Sequence, residues 1–369
     1  MKLHAIRRAK RHMLRRSATS PSNDGRRPRR FVRRTVMLAT VAAATAAVTA
    51  SMASAAKPAT WPVVRELATF AAPGCAGGCG SGSTIGPDGA LYVTDGPGGR
   101  VLRVNPTTGA ITTFASGLPQ AIPAVGIGGA MDVAFRGDTA YVLVTLVGPA
   151  FGQPDVISGL YRIAKDGGAT AIADIGAWSI ANPPATDFFV DSGVQYALQP
   201  FHGGFLVSDG HHNRVLRVSR DGEIRPLIAL DNVVPTGLDV RGDAIYMGEA
   251  GPIPHRPEDG KVVQFTPRSP AREVASGGRL IVDVEFGRGR QLYALSQGIW
   301  DLPPTPENEG KPASPDTGSL LRVNGHGGLE SVVDGLDRPT SVEFIGDTAY
   351  VVTLTGKVIA IDGVRRRPC

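Results

Sequence analysis

The sequence predicts an all-β fold made of six similar units, and three observations carry this prediction. The body of the chain, after residue 55, is rich in glycine and proline and has no long apolar pattern at helical spacing. Short runs of valine, isoleucine and threonine alternate with Gly-Asp or Asp-Gly turns, which is typical of antiparallel strands joined by hairpins. The phrase VTDGPGGRVLRVN at 93–105 returns as VSDGHHNRVLRVS at 207–219.

The first 55 residues are predicted to be a signal peptide. Lys and Arg crowd residues 1–34, an uncharged segment covers 35–56, and Ala53-Ser54-Ala55 supplies a small-residue cleavage site. The uncharged segment holds much alanine and threonine but little leucine or isoleucine, which favours a cleaved signal over a retained transmembrane helix. We therefore expect a secreted protein, located extracellularly or in the cell-wall space, with no membrane anchor after cleavage.

Removal of this leader changes the net charge of the protein from positive to negative. The full chain carries 39 basic and 33 acidic residues, of which the leader holds 13 basic and one acidic. The mature part therefore keeps 26 basic and 32 acidic residues, a formal net charge of −6. A mildly acidic body lacks the basic surface that nucleic-acid binding needs, so we expect no nucleic-acid partner. The mature protein is expected to be a monomer.

Six units can be laid under one another between residues 56 and 364, and residues 365–369 form a C-terminal tail. Each unit reads as strand A, a tight turn, strand B, a loop, strand C, a second turn and strand D. Four-stranded units that repeat at roughly 40 to 60 residues are the blades of a β-propeller. The sixth unit stops one strand short, and the strand-like segment VVRELATF at 63–70 precedes the first unit. Pairing this segment with the last unit would close a six-bladed ring and remove an exposed edge.

The repeated phrase covers strand B, the B–C turn and strand C of the first and third units, so we interpret it as architectural. Asp95 and Asp209 are expected to accept hydrogen bonds from backbone N–H groups of the turn. Arginine recurs at one strand-C position, and acidic residues share one strand-A position. Because burying either charge alone is unfavourable, we predict ion pairs between the two sets. The sets are Arg103, Arg162, Arg217 and Arg322 on strand C, and Asp239, Glu285 and Glu343 on strand A.

The long insertions of the repeat predict a binding face. In a propeller the D–A and B–C connections emerge on one face, and the insertions fall in these connections, which indicates where a ligand binds. They are residues 117–130, 147–159, 176–195, 251–260 and 298–318. The candidate ligand-binding residues on this face are Trp178, Asp187, Tyr196, His211, His212, Glu249, His255 and Trp300. The alternative is that the aromatic side chains only hold proline-rich loops over the channel.

A metal site of the lactonase type is not predicted. Lactonase-type propellers bind a divalent cation through carboxylates and asparagine at the channel ends of strand A. A shift of one residue in the alignment of this chain brings in only Asp132 and Asp283, too few oxygens for a hard cation. The unshifted positions, which hold no carboxylate or asparagine, are Gly82, Met131, Tyr196, Thr236, Val282 and Thr340. We therefore expect no cofactor, and the sequence leaves open only a divalent cation in the channel. No nucleophile motif stands out.

The cysteines predict one local disulfide. The mature chain contains Cys75, Cys79 and Cys369, and disulfides persist in an exported protein. Cys75 and Cys79 are joined by a short Ala-Gly-Gly segment that can fold back, so we predict that they pair and that Cys369 is a free thiol. A redox or metal role for the CAGGC segment is the alternative.

Longer strings of the repeat resemble a known family. The strand-B ends are similar to the NHL-type propeller repeat. The strings GCGSGSTIGPDGALYVTDG at 78–96 and FFVDSGVQYALQPFHGGFLVSDGHHNRVLRV at 188–218 resemble the ScyD/ScyE family of secreted propeller proteins. The resemblance covers about residues 61–363 and implies a six-bladed propeller and export, without a settled activity. DSGVQY at 191–196 departs from the DSNPY-like string of that family.

Two function classes follow from these observations. The first is a binding or scaffold module that uses the loop face to hold an unknown small molecule, glycan or protein. The alternative is a hydrolase or lyase of the NHL or gluconolactonase-like propeller type, which would use His and acidic residues on the same face. A polar pocket over the channel, with or without a tightly bound metal, distinguishes the two classes.

Overall fold

The computed structural model describes residues 62–70, 78–256, 258–305, 308 and 310–365 of the chain. The predicted signal peptide, Cys75 and Cys369 lie outside the described residues, so the predictions about them remain predictions. Cys79 is buried and disulfide-bonded. No helix in the described part of the chain is both long and apolar enough to cross a membrane.

The described residues form a six-bladed β-propeller of four-stranded antiparallel blades, as predicted. Blades 1 to 3 contain, in chain order, β2 (Ser83–Ile85), β3 (Leu91–Asp95), β4 (Arg100–Val104), β5 (Ile111–Ala115), β6 (Gly129–Arg136), β7 (Thr139–Thr145), β8 (Gly159–Ile163), β9 (Ala169–Asp174), β10 (Gln195–Phe201), β11 (Gly204–Asp209), β12 (Arg214–Val218) and β13 (Ile224–Ala229). Blades 4 to 6 contain β14 (Pro235–Arg241), β15 (Ala244–Glu249), β16 (Gly260–Thr266), β17 (Ser269–Gly278), β18 (Ile281–Phe286), β19 (Leu292–Ser296), β20 (Gly318–Val323), β21 (Leu329–Leu336), β22 (Pro339–Ile345), β23 (Thr348–Thr353), β24 (Lys357–Asp362) and β1 (Val63–Thr69).

Short helices occupy some of the connections. The α-helix α1 (Ile175–Ala181) lies between β9 and β10, and the Asp174 carboxylate caps it by accepting from the Ala177 N–H at 2.8 Å. Three single 3₁₀ turns cover Pro149–Phe151, Gly210–His212 and Arg288–Arg290. The 3₁₀ turn after β11 positions the two adjacent histidines of blade 3.

The hydrophobic core lies between neighbouring blades. Both faces of a blade pack against other blades, so the second strand of a blade is buried along its whole length, as in β3 and β11. The outermost strands, such as β5 and β13, consist mostly of exposed and half-buried residues because they lie at the periphery of the ring. Two-residue turns join strands A and B in most blades, and Gly242 and Gly346 adopt the positive φ that these turns require.

The N-terminal strand closes the ring, as predicted from the sequence. β1 pairs antiparallel with β24, and Val63 lies opposite Asp362 at one end of the ladder. Two ion pairs cross this junction, one between Arg65 Nε and Asp362 Oδ2 at 3.4 Å and one between Lys357 and Glu66 at 2.9 Å. The last blade therefore has four strands, like the other five.

The strand register corrects one part of the sequence alignment. In each blade one strand-A residue lies at the loop-face end of the central channel, and we call these six residues the mouth row. The sequence alignment placed Gly82 in this row for blade 1. The strand register places Ser81 there instead, and Gly82 lies one residue deeper. The register decides this, because Thr84 pairs with Tyr92 in blade 1 as Ala134 pairs with Tyr141 in blade 2, so Gly82 is equivalent to Asp132. The corrected mouth row is Ser81, Met131, Tyr196, Thr236, Val282 and Thr340. The second row is Gly82, Asp132, Ala197, Gly237, Asp283 and Ser341, and two residues deeper lie Thr84, Ala134, Gln199, Asp239, Glu285 and Glu343.

The repeated phrase encodes an ion pair between strands B and C. Asp95 accepts from the Gly98 N–H at 2.9 Å, as predicted, and also contacts Arg100 Nε at 2.7 Å. Asp209 contacts Arg214 Nε at 2.9 Å, with no hydrogen bond to a turn amide among those of the described residues. The prediction of turn hydrogen bonds is therefore right for Asp95 and wrong for Asp209. The shared feature is an aspartate and an arginine directly opposite each other in the ladder.

The predicted pairing of the other strand-C arginines with strand-A carboxylates is wrong. Arg103 Nε lies 2.6 Å from Asp88 in the A–B turn, and Arg322 lies 3.2 Å from Glu330 on strand D. Arg217 donates to a backbone carbonyl of the A–B turn. Strand B separates strands A and C, so the strand-A carboxylates face the channel instead.

Candidate functional site

A cavity of about 160 Å³ lies in the channel at the loop face, and we call it the channel-mouth cavity. Its wall includes the mouth row and the second row of all six blades. The connections of blades 3, 4 and 5 complete it with His211, Val234, Ala250, His255, Leu280, Gln297 and the 310–312 segment. The cavity is therefore enclosed by apolar surface with a few polar side chains that converge on it, which is usual for a small-molecule site.

His211 projects from the 3₁₀ turn after β11 into this cavity. Its Nε2 lies 3.1 Å from the Tyr196 hydroxyl, and the Phe189 ring packs edge-on against the imidazole at 4.6 Å. The residue is 6% exposed, and its Nδ1 is buried without a hydrogen-bond partner. Burial, reinforced by the nearby His255, lowers the pKa of His211 to about 3, so the imidazole is neutral at physiological pH.

His255 contributes a second neutral imidazole from the B–C loop of blade 4. Its ring packs edge-on against Trp300 at 5.5 Å, and its Nδ1 is also buried without a hydrogen-bond partner. Burial lowers the pKa of His255 to about 4, against the opposing effect of the Pro252 carbonyl. Trp300 is 7% exposed and donates through Nε1 to the Lys311 carbonyl at 3.1 Å, which fixes the wall behind His255.

Two aspartates in the second row link neighbouring blades through hydrogen bonds. Asp132 accepts from the Val133 N–H at 2.8 Å and from the Leu198 N–H of the next blade at 2.7 Å. Asp283 does the same in the other half of the ring, where Val284 and Val342 donate at 2.9 and 2.8 Å. The inner edge of strand A has no neighbouring strand, so these carboxyl groups satisfy backbone donors that would otherwise lack a partner.

Glycine precedes each of these aspartates around the ring. A Cβ atom on Gly82 would lie 2.0 Å from Asp132 Oδ1, and one on Gly237 would lie 2.2 Å from Asp283 Oδ1. The second row therefore reads Gly-Asp-Ala over blades 1 to 3 and Gly-Asp-Ser over blades 4 to 6. Sequence analysis did not detect this pattern, because the alignment of blade 1 was out by one residue.

Burial raises the pKa values of the channel carboxyl groups. Desolvation raises the pKa of Asp283 to about 7 despite the two backbone N–H groups, and raises that of Asp132 well above its usual range. In the deeper row, burial and then the neighbouring acidic groups raise the pKa values of Glu285 and Glu343 well above normal. Asp239 is raised as well, for which burial is again the main cause. The channel below the mouth row is thus lined by several carboxyl groups.

Several of the predicted site residues lie elsewhere on the loop face. His212 is 1% exposed, and its ring contacts the Val190 carbonyl at 3.0 Å and the Arg214 guanidinium at 2.9 Å. Trp178, on α1, packs under that guanidinium at 4.9 Å from its ring centroid, and Asp187 is exposed. These residues support the loops of blades 2 and 3, and of the predicted set only Tyr196, His211 and His255 line the cavity, with Trp300 behind them.

Glu249 faces a different depression, an inter-blade groove between blades 3 and 4. The groove has a volume of about 960 Å³ and is lined by the 227–231 and 266–271 segments. Glu249 is 6% exposed, and burial raises the pKa of its carboxyl to about 7. The nearest basic residue in that groove, Lys261, pairs with Glu273 at 3.0 Å. Glu249 therefore does not belong to the channel-mouth cavity.

The donor set of the channel mouth does not fit a divalent cation of the lactonase type. The mouth row offers no carboxylate, and the two aspartates of the second row each already accept two backbone N–H groups. Among the residues that the structure describes, no group of three or more His, Cys, Asp or Glu is arranged to hold a metal ion. Calcium and magnesium prefer six or more oxygen ligands, counting water.

Comparisons with known proteins establish the fold. No protein family and no curated protein matches the sequence. Similar solved structures include a gluconolactonase from Xanthomonas campestris, at 12% identity and a TM-score of 0.55 over 82% of this chain and 89% of that one. Virginiamycin B lyase from Staphylococcus aureus is similar at 14% identity and a TM-score of 0.50, over 82% and 99% of the two chains. A Bacteroides thetaiotaomicron protein of unknown function has 10% identity and a TM-score of 0.51, over 81% and 74%. At these identities the likeness shows a shared propeller fold.

Proposed function

We propose that this protein is an exported binding module that holds a small organic molecule in the channel-mouth cavity. The observation that supports this best is that His211 and His255 both line one cavity, and that each has a buried Nδ1 without a hydrogen-bond partner. A buried polar atom without a partner is unfavourable, so a molecule that pairs with both atoms would gain affinity from them. Each neutral imidazole can donate or accept according to its tautomer.

The size of the cavity limits the ligand to about one ring. An engineered apolar cavity of about 150 Å³ takes up benzene, and the channel-mouth cavity has about the same volume at 160 Å³. Tyr196, Met131 and Val282 supply the apolar and aromatic wall for such a ring. A glycan chain or a protein would have to contact the loops around the mouth instead.

Ligand-observed NMR with a set of one-ring fragments tests the proposal. We expect fragments that bind the wild-type protein to lose binding in His211→Ala and in His255→Ala. His202→Ala is the matched control, because His202 lies in an A–B turn on the opposite face and pairs with Asp243 at 2.7 Å. Equal binding by all three variants, or no binding fragment at all, would refute a ligand site at the channel mouth.

The proposed location outside the membrane follows from the leader and from the resemblance to the ScyD/ScyE family. N-terminal sequencing of the protein recovered from the culture medium or cell wall should begin near residue 56. Recovery of the full-length chain in the cytoplasm alone would contradict this part of the proposal.

A hydrolase or lyase is the second candidate, and one observation favours it. The neutral imidazole of His211 lies 3.1 Å from a tyrosine hydroxyl, and Asp283, with a pKa near 7, lines the same cavity. A carboxyl group with a pKa near 7 can both give up and take up a proton at neutral pH, which is what general acid–base chemistry needs. Two of the similar folds belong to a gluconolactonase and a lyase. Turnover of one-ring lactones or esters that disappears in His211→Ala but survives in His202→Ala would establish this function.

A further inference from the structure

Asp132 and Asp283 face each other across the channel-mouth cavity. They occupy the same strand-A position in blades 2 and 5, which are opposite each other in a six-bladed ring. Both line the cavity, and the negative charge of Asp283 acts on Asp132. Each carboxyl oxygen accepts one backbone N–H, and the Ser341 side chain also hydrogen-bonds to Asp283, which leaves acceptor capacity on both carboxyl groups for a further donor.

Most of the titratable groups around this pair are acidic or neutral rather than basic. Lys311, the one basic residue among the described residues of the cavity wall, is exposed and donates to Asn308 Oδ1 at 2.7 Å. Arg241, which acts on Asp239 from the far side, stacks on the Phe286 ring at 3.7 Å. The other titratable groups that face the two aspartates are His211, His255, Tyr196, Asp239, Glu285 and Glu343.

We infer that the ligand of the channel-mouth cavity carries a cationic nitrogen, and that Asp132 and Asp283 hold this nitrogen between them on the channel axis. The inference rests on the proposed binding function and specifies the chemical class of the ligand. Its second support is His211, which lines the same cavity and has a buried Nδ1 without a hydrogen-bond partner, independently of the carboxyl groups. The expected ligand is a one-ring organic amine: the ring contacts Tyr196 and the imidazoles, and the ammonium donates to the carboxylates.

Binding of such a cation is coupled to release of protons. In the unliganded protein, burial favours the protonated form of both carboxyl groups. An ammonium ion placed between them favours the ionised form, so each carboxyl proton that is displaced leaves to the buffer. Affinity for an amine should therefore rise with pH, whereas affinity for a neutral molecule of the same shape should not follow this dependence.

The test compares benzylamine with benzyl alcohol by isothermal titration calorimetry on the mature protein. The two probes have the same ring, and only benzylamine is a cation at about pH 8 and at about pH 5. At the higher pH we expect benzylamine to bind at least about tenfold more tightly than benzyl alcohol, because hydrogen bonds between charged groups are stronger than neutral ones. The preference should shrink at the lower pH, and the binding heat should depend on the ionisation enthalpy of the buffer.

Single substitutions test whether the two aspartates cause the preference for benzylamine. Asp132→Asn and Asp283→Asn should each reduce the preference for the amine, and Asp243→Asn, an exposed carboxylate in an A–B turn, should leave it unchanged. Asparagine cannot accept both backbone N–H groups at once, so folding of each variant is checked by circular dichroism. If a variant does not fold, the probe and pH comparison on the unmodified protein still decides.

The possible results separate the two proposals. Equal binding of both probes, lost in His211→Ala, would overturn the cation inference and leave the binding function intact. The absence of binding of either probe at millimolar concentration would overturn both proposals. A pH-dependent preference for benzylamine that the aspartate variants remove would support both.

Discussion

Glu249→Gln should stabilise the protein at neutral and alkaline pH. Glu249 is 6% exposed, and none of the hydrogen bonds or ion pairs among the described residues involves its side chain. Burial is the main reason that its pKa rises to about 7, with Lys261 opposing the shift and Glu273 adding to it. Glutamine has nearly the same shape but no charge, so the substitution removes the cost of ionising a buried carboxyl group.

The size and the pH window of this effect follow from the pKa values. The unfolded chain loses the proton near pH 4.5, whereas folded Glu249 keeps it up to about pH 7. Between these values the folded state binds the extra proton, so the wild-type protein loses stability as the pH rises through the window. This pKa difference corresponds to at most about 3 kcal/mol in the free energy of unfolding above pH 7. A gain of this size corresponds to about 5 °C in Tm for a domain of this length.

Urea unfolding at intervals from about pH 5 to about pH 8 measures the effect. The free energy of unfolding of Glu249→Gln minus that of the wild type should rise across the range and level off near pH 7. Glu66→Gln, on β1 and outside this groove, is the control. Hydrogen bonds to Thr69 and Lys357 lower the pKa of Glu66, so its contribution is lost only below pH 4.5 and its difference should stay flat. A flat or falling difference for Glu249→Gln would refute the reasoning.

Three further predictions concern the architecture. Asp209→Asn should destabilise the protein by about 3–5 kcal/mol in urea unfolding, because it leaves a buried arginine without its partner. The equivalent change Asp95→Asn should cost less, since its arginine is 38% exposed, and equal costs would contradict the burial argument. Deletion of residues 57–70 should expose the edge of β24 and give aggregates in size-exclusion chromatography; a soluble monomer with unchanged Tm would show another closure. Peptide mapping without reduction should link Cys75 to Cys79, and any other linkage would disprove that pairing.

The repeats predicted the fold well because they record strand order directly. Each unit ends in turn residues that only hairpins favour, and the missing last strand matched the orphan segment at 63–70. The loop face also followed from the repeat, because the direction of the strands decides which connections share an end. His211, His255 and Tyr196 were therefore found before the structure was known.

The orientation of side chains within a blade was not predictable in the same way. Both faces of a blade are packed against neighbours, so the alternation of polar and apolar residues that normally separates inside from outside is weak. Trp178 and Glu249 lie on the loop face and yet point to the seams between blades rather than to the channel. Asp132 and Asp283 each follow a residue of the predicted mouth row. Because side chains on a regular strand alternate in direction, the sequence did not show that this second row also lines the cavity.

Closure of the ring by β1 has a consequence for the order in which the molecule assembles. Hydrogen-bonded neighbours within a blade are mostly separated by short turns, but Arg65 and Asp362 in the closing pair are 297 positions apart. Joining ends over a tenfold longer stretch of chain costs about 2 kcal/mol more in entropy. The five blades whose four strands are consecutive in the sequence can form first, and the pairing of β1 with β24 is made late.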